Sequence, residues 1–206
     1  HEVGRHHRHD PLLYLQEDPS IIPGAQLSDN GRWIVLQLFQ GWARQDLHVY
    51  DAVSWLETGT PERVAIAEGL DARFAPMEVI GDTLYFFTTH EAPNGRLMAV
   101  DLRSPSMDAW REVIPHREDA VLTGVSLAGP LFVAGYEKDA STRMELFTTT
   151  GVPMGEVPLP GIGRASISTA RDRTEAFLSF ASFNEPNSIY HIDLLAEGRE
   201  LWARPE

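Results

Sequence analysis

Leu47-His48-Val49-Tyr50-Asp51, Leu97-Met98-Ala99-Val100-Asp101, Met144-Glu145-Leu146-Phe147-Thr148 and Ser188-Ile189-Tyr190-His191-Ile192-Asp193 are one kind of segment written four times. Each is an apolar strand closing on an acid or a threonine. A second marker precedes each copy: a short Gly- or Asp-bearing turn that opens a strongly apolar strand. These strands read NGRWIVLQLF from Asn30, GDTLYFFTT from Gly81, AGPLFVAGY from Ala128 and RDRTEAFLSF from Arg171. Two markers kept in step at a common period of about 43 to 50 residues identify stacked or radially arranged repeats.

Working outward from these markers gives four strands per repeat. In the first, residues 25–28 make a short strand and Asn30-Gly31 supplies turn chemistry, since both residues tolerate positive φ. Residues 33–39 are a near-continuous apolar run, as in a strand buried on both faces. Residues 46–51 alternate, and 63–67 form a more polar outer strand. The later repeats place strands at 73–79, 83–89, 96–101 and 110–114; at 121–127, 131–136, 143–148 and 156–159; and at 164–168, 175–181, 188–193 and 200–203. The Pro- and Asn-bearing stretches 91–95 and 184–187 read as loops between second and third strands. Helical periodicity is confined to one turn at 52–57. The N-terminus reads as half a repeat, with strands at 2–9 and 12–17 around an Asp10-Pro11 turn.

Antiparallel four-stranded units at this spacing are β-propeller blades, which associate in rings of about four to eight. The expected fold is all-β: one partial β-propeller domain over residues 1–206. It contains a half blade at 1–19 and whole blades at 20–70, 71–119, 120–161 and 162–206. A sandwich or barrel would have no reason to repeat two markers in step. The recurring aromatics, from Trp33 and Tyr85 to Phe132, Phe177 and Tyr190, are expected to fill the gaps between neighbouring sheets.

Composition narrows the function classes. Seventeen Lys and Arg against 30 Asp and Glu give a net charge of −13, and no basic patch lies beyond residues 5–9. That argues against a nucleic-acid partner, which needs cations to displace counterions. The chain has no cysteine, so disulfides, thiolate metal sites and cysteine nucleophiles are excluded. No apolar stretch approaches the roughly 20 residues of a membrane span. The N-terminus lacks the apolar core of a secretory signal. The absence of an N-x-S/T sequon fits a bacterial or cytosolic origin. The expected compartment is the cytoplasm, with the periplasm left open.

No motif carries catalysis. Residues 161–166, GIGRAS, approach a dinucleotide fingerprint but precede no helix and lack its last glycine; they read as a loop between blades. No nucleophile elbow is present, and no spacing selects a Ser-His-Asp set. Neither a cofactor nor a structural metal is expected. Among the histidines at 1, 6, 7 and 9, His7 and His9 are the weak metal candidates: on a strand, side chains two apart share a face. The competing reading is a solvated strand near a chain end.

Residues 91–102, EAPNGRLMAVDL, are where the pattern becomes specific. They resemble a segment of the propeller domain of the prolyl oligopeptidase family of serine peptidases. Residues 27–33 (LSDNGRW), 109–115 (AWREVIP), and 182–183 with 189–194 (SF…IYHIDL) are similar to further family segments in the family's order. The likeness spans essentially the whole chain and places it in the second half of a seven-bladed propeller.

The resemblance implies that the propeller caps an α/β-hydrolase domain with a Ser-Asp-His triad that cleaves short peptides after proline. It implies that the triad lies outside these residues, with the hydrolase domain resuming near Pro205-Glu206, so that the chain alone is inactive. The partners it implies are that hydrolase domain and short peptides. It also marks a substrate-facing loop at His90 and Glu91, where the family carries a basic residue. A histidine there would make any peptide contact pH-dependent; equally, His90 is read as a loop residue without a ligand. Arg96 and Asp101 are expected to pair or cap at blade edges.

Two other readings stand beside this one: a free-standing propeller serving as a protein-interaction scaffold, and a lectin-like module. A propeller cut from its ring is further expected to expose sheet edges and faces, and so to self-associate.

Overall fold

The residue that closes each third strand is a turn cap. Asp51, Asp101 and Asp193 accept the N–H two positions on, from Val53 at 3.0 Å, Arg103 at 2.9 Å and Leu195 at 3.0 Å. Thr148 Oγ1 accepts an N–H four positions on, from Val152 at 3.0 Å. An Asp or Thr side chain can stand in for a backbone acceptor in this way and end a strand. In three repeats the next residue then reaches back to the turn that opened the second strand. Ala52 N–H donates to Arg32 O (2.7 Å), Leu102 N–H to Asp82 O (2.8 Å) and Leu194 N–H to Thr174 O (3.0 Å). In these three sheets the end of the third strand is therefore tied to the start of the second at one end.

The computed structural model describes residues 3–41, 43–196 and 198–205. Its strands form four antiparallel four-stranded sheets, each in simple chain order. Packing divides the chain into two units, residues 1–74 and 75–206.

The first unit holds β1 (Ile22–Leu27), β2 (Trp33–Gln40), β3 (Arg44–Asp51) and β4 (Val64–Ala67). A helix, α1 (Ala52–Thr58), joins β3 to β4; Asp51 caps its first turn and Gly59 closes it. Leu36, Leu38 and Tyr50 form a buried cluster covered by Leu13, Tyr14 and Ile21.

The second unit holds three sheets. Strands β5 (Phe74–Ile80, all but its first residue), β6 (Thr83–Thr88), β7 (Arg96–Asp101) and β8 (Arg111–Ile114) make the first. Strands β9 (Val121–Ala128), β10 (Leu131–Lys138), β11 (Ser141–Thr148) and β12 (Pro153–Glu156) make the second. Strands β13 (Arg164–Ala170), β14 (Arg173–Ser182), β15 (Glu185–Asp193) and β16 (Arg199–Ala203) make the third. The middle sheet explains the unbroken apolar run in β10. Phe132, Ala134 and Tyr136 pack against Tyr85, Leu97 and Val113 of the preceding sheet. Leu131 and Val133 pack against Ala176, Leu178 and Ile192 of the following one. Alternate side chains point to opposite faces, and here both faces are covered. The far face of the β13–β16 sheet carries Phe177, His191 and Trp202 in mutual ring contact, with Phe177 and Trp202 exposed.

The structure departs from the sequence reading at three places. The half blade expected at 1–19, of which His1 and Glu2 lie outside the described residues, forms no strand among residues 3–19. His7–His9 is a 3₁₀ turn, and residues 11–18 run without a ladder. A strand exists only where a neighbour accepts its N–H groups; here the segment instead lays Leu13 and Tyr14 on the first sheet. Of residues 184–187 only Asn184 lies in the connecting turn. β15 begins at Glu185, opposite Ser182, and a register shift between Phe180 and Ser182 absorbs Pro186. The last strand of the β9 sheet spans Pro153–Glu156 rather than residues 156–159; it goes no further because Pro158 and Pro160 have no N–H to donate.

Candidate functional site

The loop from β6 to β7 is built by its own sequence. Thr88 is buried, and its Oγ1 accepts the His90 N–H at 3.0 Å. Ala92 N–H then donates to Thr89 O (3.1 Å) and Gly95 N–H to Ala92 O (2.7 Å), two turns in succession. Ala92 is fully buried. Asn94 staples the loop to the chain entering the next sheet: its Nδ2 donates to Arg117 O at 2.9 Å, and its own carbonyl accepts the Leu122 N–H at 2.8 Å. Arg96 Nη1 pairs with Glu112 at 3.4 Å. The motif residues Ala92, Asn94 and Arg96 thus hold the loop's shape.

Within this loop His90 is half-buried and Glu91 exposed. The His90 ring stands edge-on to Trp110, centroids 6.3 Å apart, and Trp110 in turn meets Phe86 at 5.1 Å. Glu91 has positive φ, and its carboxylate reaches the Arg96 guanidinium only at 4.0 Å. Asp101, expected to cap or pair, does both: Arg103 grips it through side chain and backbone, which pulls its carboxyl down to about 2.

Charged pairs cluster at the same end of this unit. Arg117 Nη1 meets Glu145 at 2.5 Å and lies over the Tyr136 ring at 4.7 Å. Lys138 pairs with Asp119, and Arg164 with Glu137 at 3.6 Å. The Tyr136 hydroxyl has no hydrogen-bond partner among the described residues. Burial pushes its ionisation up to about 12, against the pull of Arg117. At the outer side, between β11–β12 and β15–β16, a cleft of about 370 Å³ has Leu146, Val157, Ile192 and Leu194 at its floor and Glu156 and Arg199 at its rim.

His7 and His9 do not form the pair expected of a strand. In a 3₁₀ turn, with three residues per turn, side chains two apart point to different sides. His7 instead stacks against His6, ring centroids 4.2 Å apart. No group of three or more His, Asp or Glu suited to a metal occurs among the described residues.

One titratable site escaped the sequence reading. His48 is wholly buried in β3, and neither ring nitrogen has a hydrogen-bond partner among the described residues. Alternation alone would have left it half-exposed. Glu68 Oε2 stands 3.7 Å from Nε2; nearby Asp46 is occupied by Gln40 Nε2 at 2.6 Å and Gly69 N–H at 2.9 Å. Burial, helped by Arg63, lowers the affinity of His48 for a proton; Glu68 and Asp46 oppose this. Its folded value therefore lies below the ordinary 6.5. The unfolded chain then binds the extra proton first, so the stability owed to neutral His48 is complete above that pH and is lost as pH falls through the folded value. Urea unfolding across pH 5 to 8 (about the imidazole range) is expected to show midpoints that fall on the acid side. In His48→Leu that slope should flatten; an unchanged slope would assign it to other groups.

Four-stranded antiparallel sheets in serial order, those of the second unit packed face to face, define this chain as β-propeller. A sequence model of the family described as prolyl oligopeptidase, N-terminal beta-propeller domain, matches residues 1–205. The chain belongs to that family. The prolyl endopeptidase of Elizabethkingia meningoseptica is 26% identical over an alignment that covers all of this chain and 28% of that protein. The dual function macrocyclase-peptidase of Galerina marginata is 27% identical over 95% of this chain and 27% of its own length. A solved structure from a study of two prolyl endopeptidases and their inter-domain dynamics superposes with a TM-score of 0.88 at 28% identity, covering 99% of this chain and 29% of that one. Prolyl oligopeptidase B of Galerina marginata, bound to a 25mer macrocyclization substrate, gives 0.83 at 25% identity, covering 99% and 29%. The chain thus spans little more than a quarter of the relatives it matches.

Proposed function

We propose that this chain is the non-catalytic propeller portion of a prolyl oligopeptidase-like serine peptidase, and that it gates the access of short proline-containing peptides to a hydrolase domain outside these residues. One observation carries the reading: the likeness runs from end to end of the chain, yet covers only 28% of a prolyl endopeptidase. The rest of such a protein holds room for the catalytic domain. A gate of this kind needs no catalytic group of its own. Rigid sheets around a narrow passage admit an extended peptide and refuse a folded protein by size alone. Within this reading His90 and Glu91, in the loop held in shape by Asn94, face the passing peptide, as the resemblance to the family's substrate-facing loop implies.

The test is the cleavage of a ladder of Pro-containing peptides of increasing length by the full-length parent protein. Short members should be cut efficiently, with kcat/KM falling as length grows and a folded protein resisting altogether. Equal cleavage of a folded protein and a short peptide would end the gating reading.

A further inference from the structure

A blade's first strand has one edge in the ladder and one bare edge. Bare edges present unpaired N–H and C=O groups. At Val79, in β5, both are taken. The Val79 N–H donates to Glu78 Oε1 at 2.9 Å, and the Val79 carbonyl accepts from Arg171 Nη2 at 3.0 Å. The same Arg171 nitrogen stands 2.8 Å from Glu78 Oε1. Arg171 belongs to the turn between β13 and β14, two sheets further along the chain. The sheet between them contributes its own turn at this end, where Gly129 N–H donates to Ala170 O at 3.3 Å. Three turns from three consecutive blades thus gather at one end of their first strands, and one side chain crosses from the third blade to the first.

We propose that these first strands line a passage, that Arg171 is a strap across it, and that the strap sets the size of peptide that passes. This inference rests on the gating role proposed above. The chemistry suits a strap. A guanidinium is always charged and donates in several directions at once, so it can hold a carboxylate and a carbonyl together. Glu78 is pre-aligned by its bond to the Val79 N–H. The pair is partly shielded, with 37% of the Arg171 side chain and 18% of the Glu78 side chain exposed, so salt screens it less than a surface pair. An arginine that only protected the β5 edge had no need to come from two blades away; a local side chain would serve.

The test uses the full-length parent protein and the peptide-length ladder. In Arg171→Ala, kcat/KM for the shortest peptides should be unchanged, while that for the longest admitted peptides rises about tenfold. Glu78→Gln, which keeps the Val79 carbonyl, should give a smaller rise of the same sign. It is also the fallback if Arg171→Ala does not fold. The reversed pair, Arg171→Glu with Glu78→Arg, should bring the long-to-short ratio back toward the parent value. A purely structural cap would alter melting temperature in these variants without moving the ratio. If the parent discriminates by length and the ratio stays fixed in every variant, the strap is wrong and the gate stands. If the parent shows no length dependence, both fall.

Discussion

Phe132→Ala should remove about 3–5 kcal/mol of folding stability, the range seen when a buried aromatic is cut back to a methyl. Phe132 is 1% exposed and lies between two blades, its ring edge-on to Tyr85 with centroids 4.9 Å apart. The cluster around it includes Leu97, Val113, Leu122 and Phe147, drawn from both sheets. Truncation therefore loses the transfer term and leaves a cavity that neither sheet can close alone, because each is tied by its own ladder. A domain of this kind has only about 5–15 kcal/mol to lose. The variant should show a lower urea midpoint with an unchanged slope. Phe177→Ala is the control: this phenylalanine, 40% exposed on the uncovered face, should cost far less. Equal losses at the two positions would mean that the contact between the β5–β8 and β9–β12 sheets contributes little to stability.

That contrast also marks what could be read from the sequence. The run Leu131-Phe132-Val133-Ala134 announces a strand covered on both faces because alternation is absent, and absence of alternation is a local property. The closing residues Asp51, Asp101, Thr148 and Asp193 announce the period for the same reason: each caps a turn within a few residues of itself. Pro186 misleads, because whether a proline breaks a strand depends on the register of its partner, and here a bulge opposite absorbs it. The N-terminal segment misleads because an apolar run such as Leu12-Leu13-Tyr14-Leu15 becomes a strand only where a neighbour accepts its N–H groups, and residues 11–18 run without a ladder.

The candidate site was less legible still. His90 and Glu91 come to notice only through family resemblance, since nothing in their immediate chemistry distinguishes a loop histidine. His48 looks like any polar residue of an alternating strand until its burial is seen. Arg171 and Val79 lie 92 positions apart, and no local pattern links a turn arginine to a carbonyl two blades away. What is encoded locally was visible. What depends on how blades sit beside one another was not.

Gly151→Ala tests that second kind of information, and it should cost about 3 kcal/mol or more, near the upper end for a single substitution. Two penalties combine. Gly151 has a φ of +93°, where an L side chain is strained by about 1–2 kcal/mol. A Cβ there would also stand 2.5 Å from the Val113 carbonyl oxygen and 3.2 Å from its carbon. Those atoms are backbone of β8 in the neighbouring blade and cannot swing aside. Either the β11–β12 turn lifts away, breaking the Gly151 N–H to Thr148 O bond of 2.9 Å, or the two blades separate and open the cluster around Phe132. Gly31→Ala isolates the first penalty. Its φ is +71°, and no atom lies within 4 Å of the point where the alanine methyl would stand, so it should lose about 1 kcal/mol. Thermal unfolding of the two variants beside the parent chain gives the comparison. A loss at Gly151 no greater than at Gly31 would mean that the turn yields freely, and that blade contact at this point is not what fixes a glycine there.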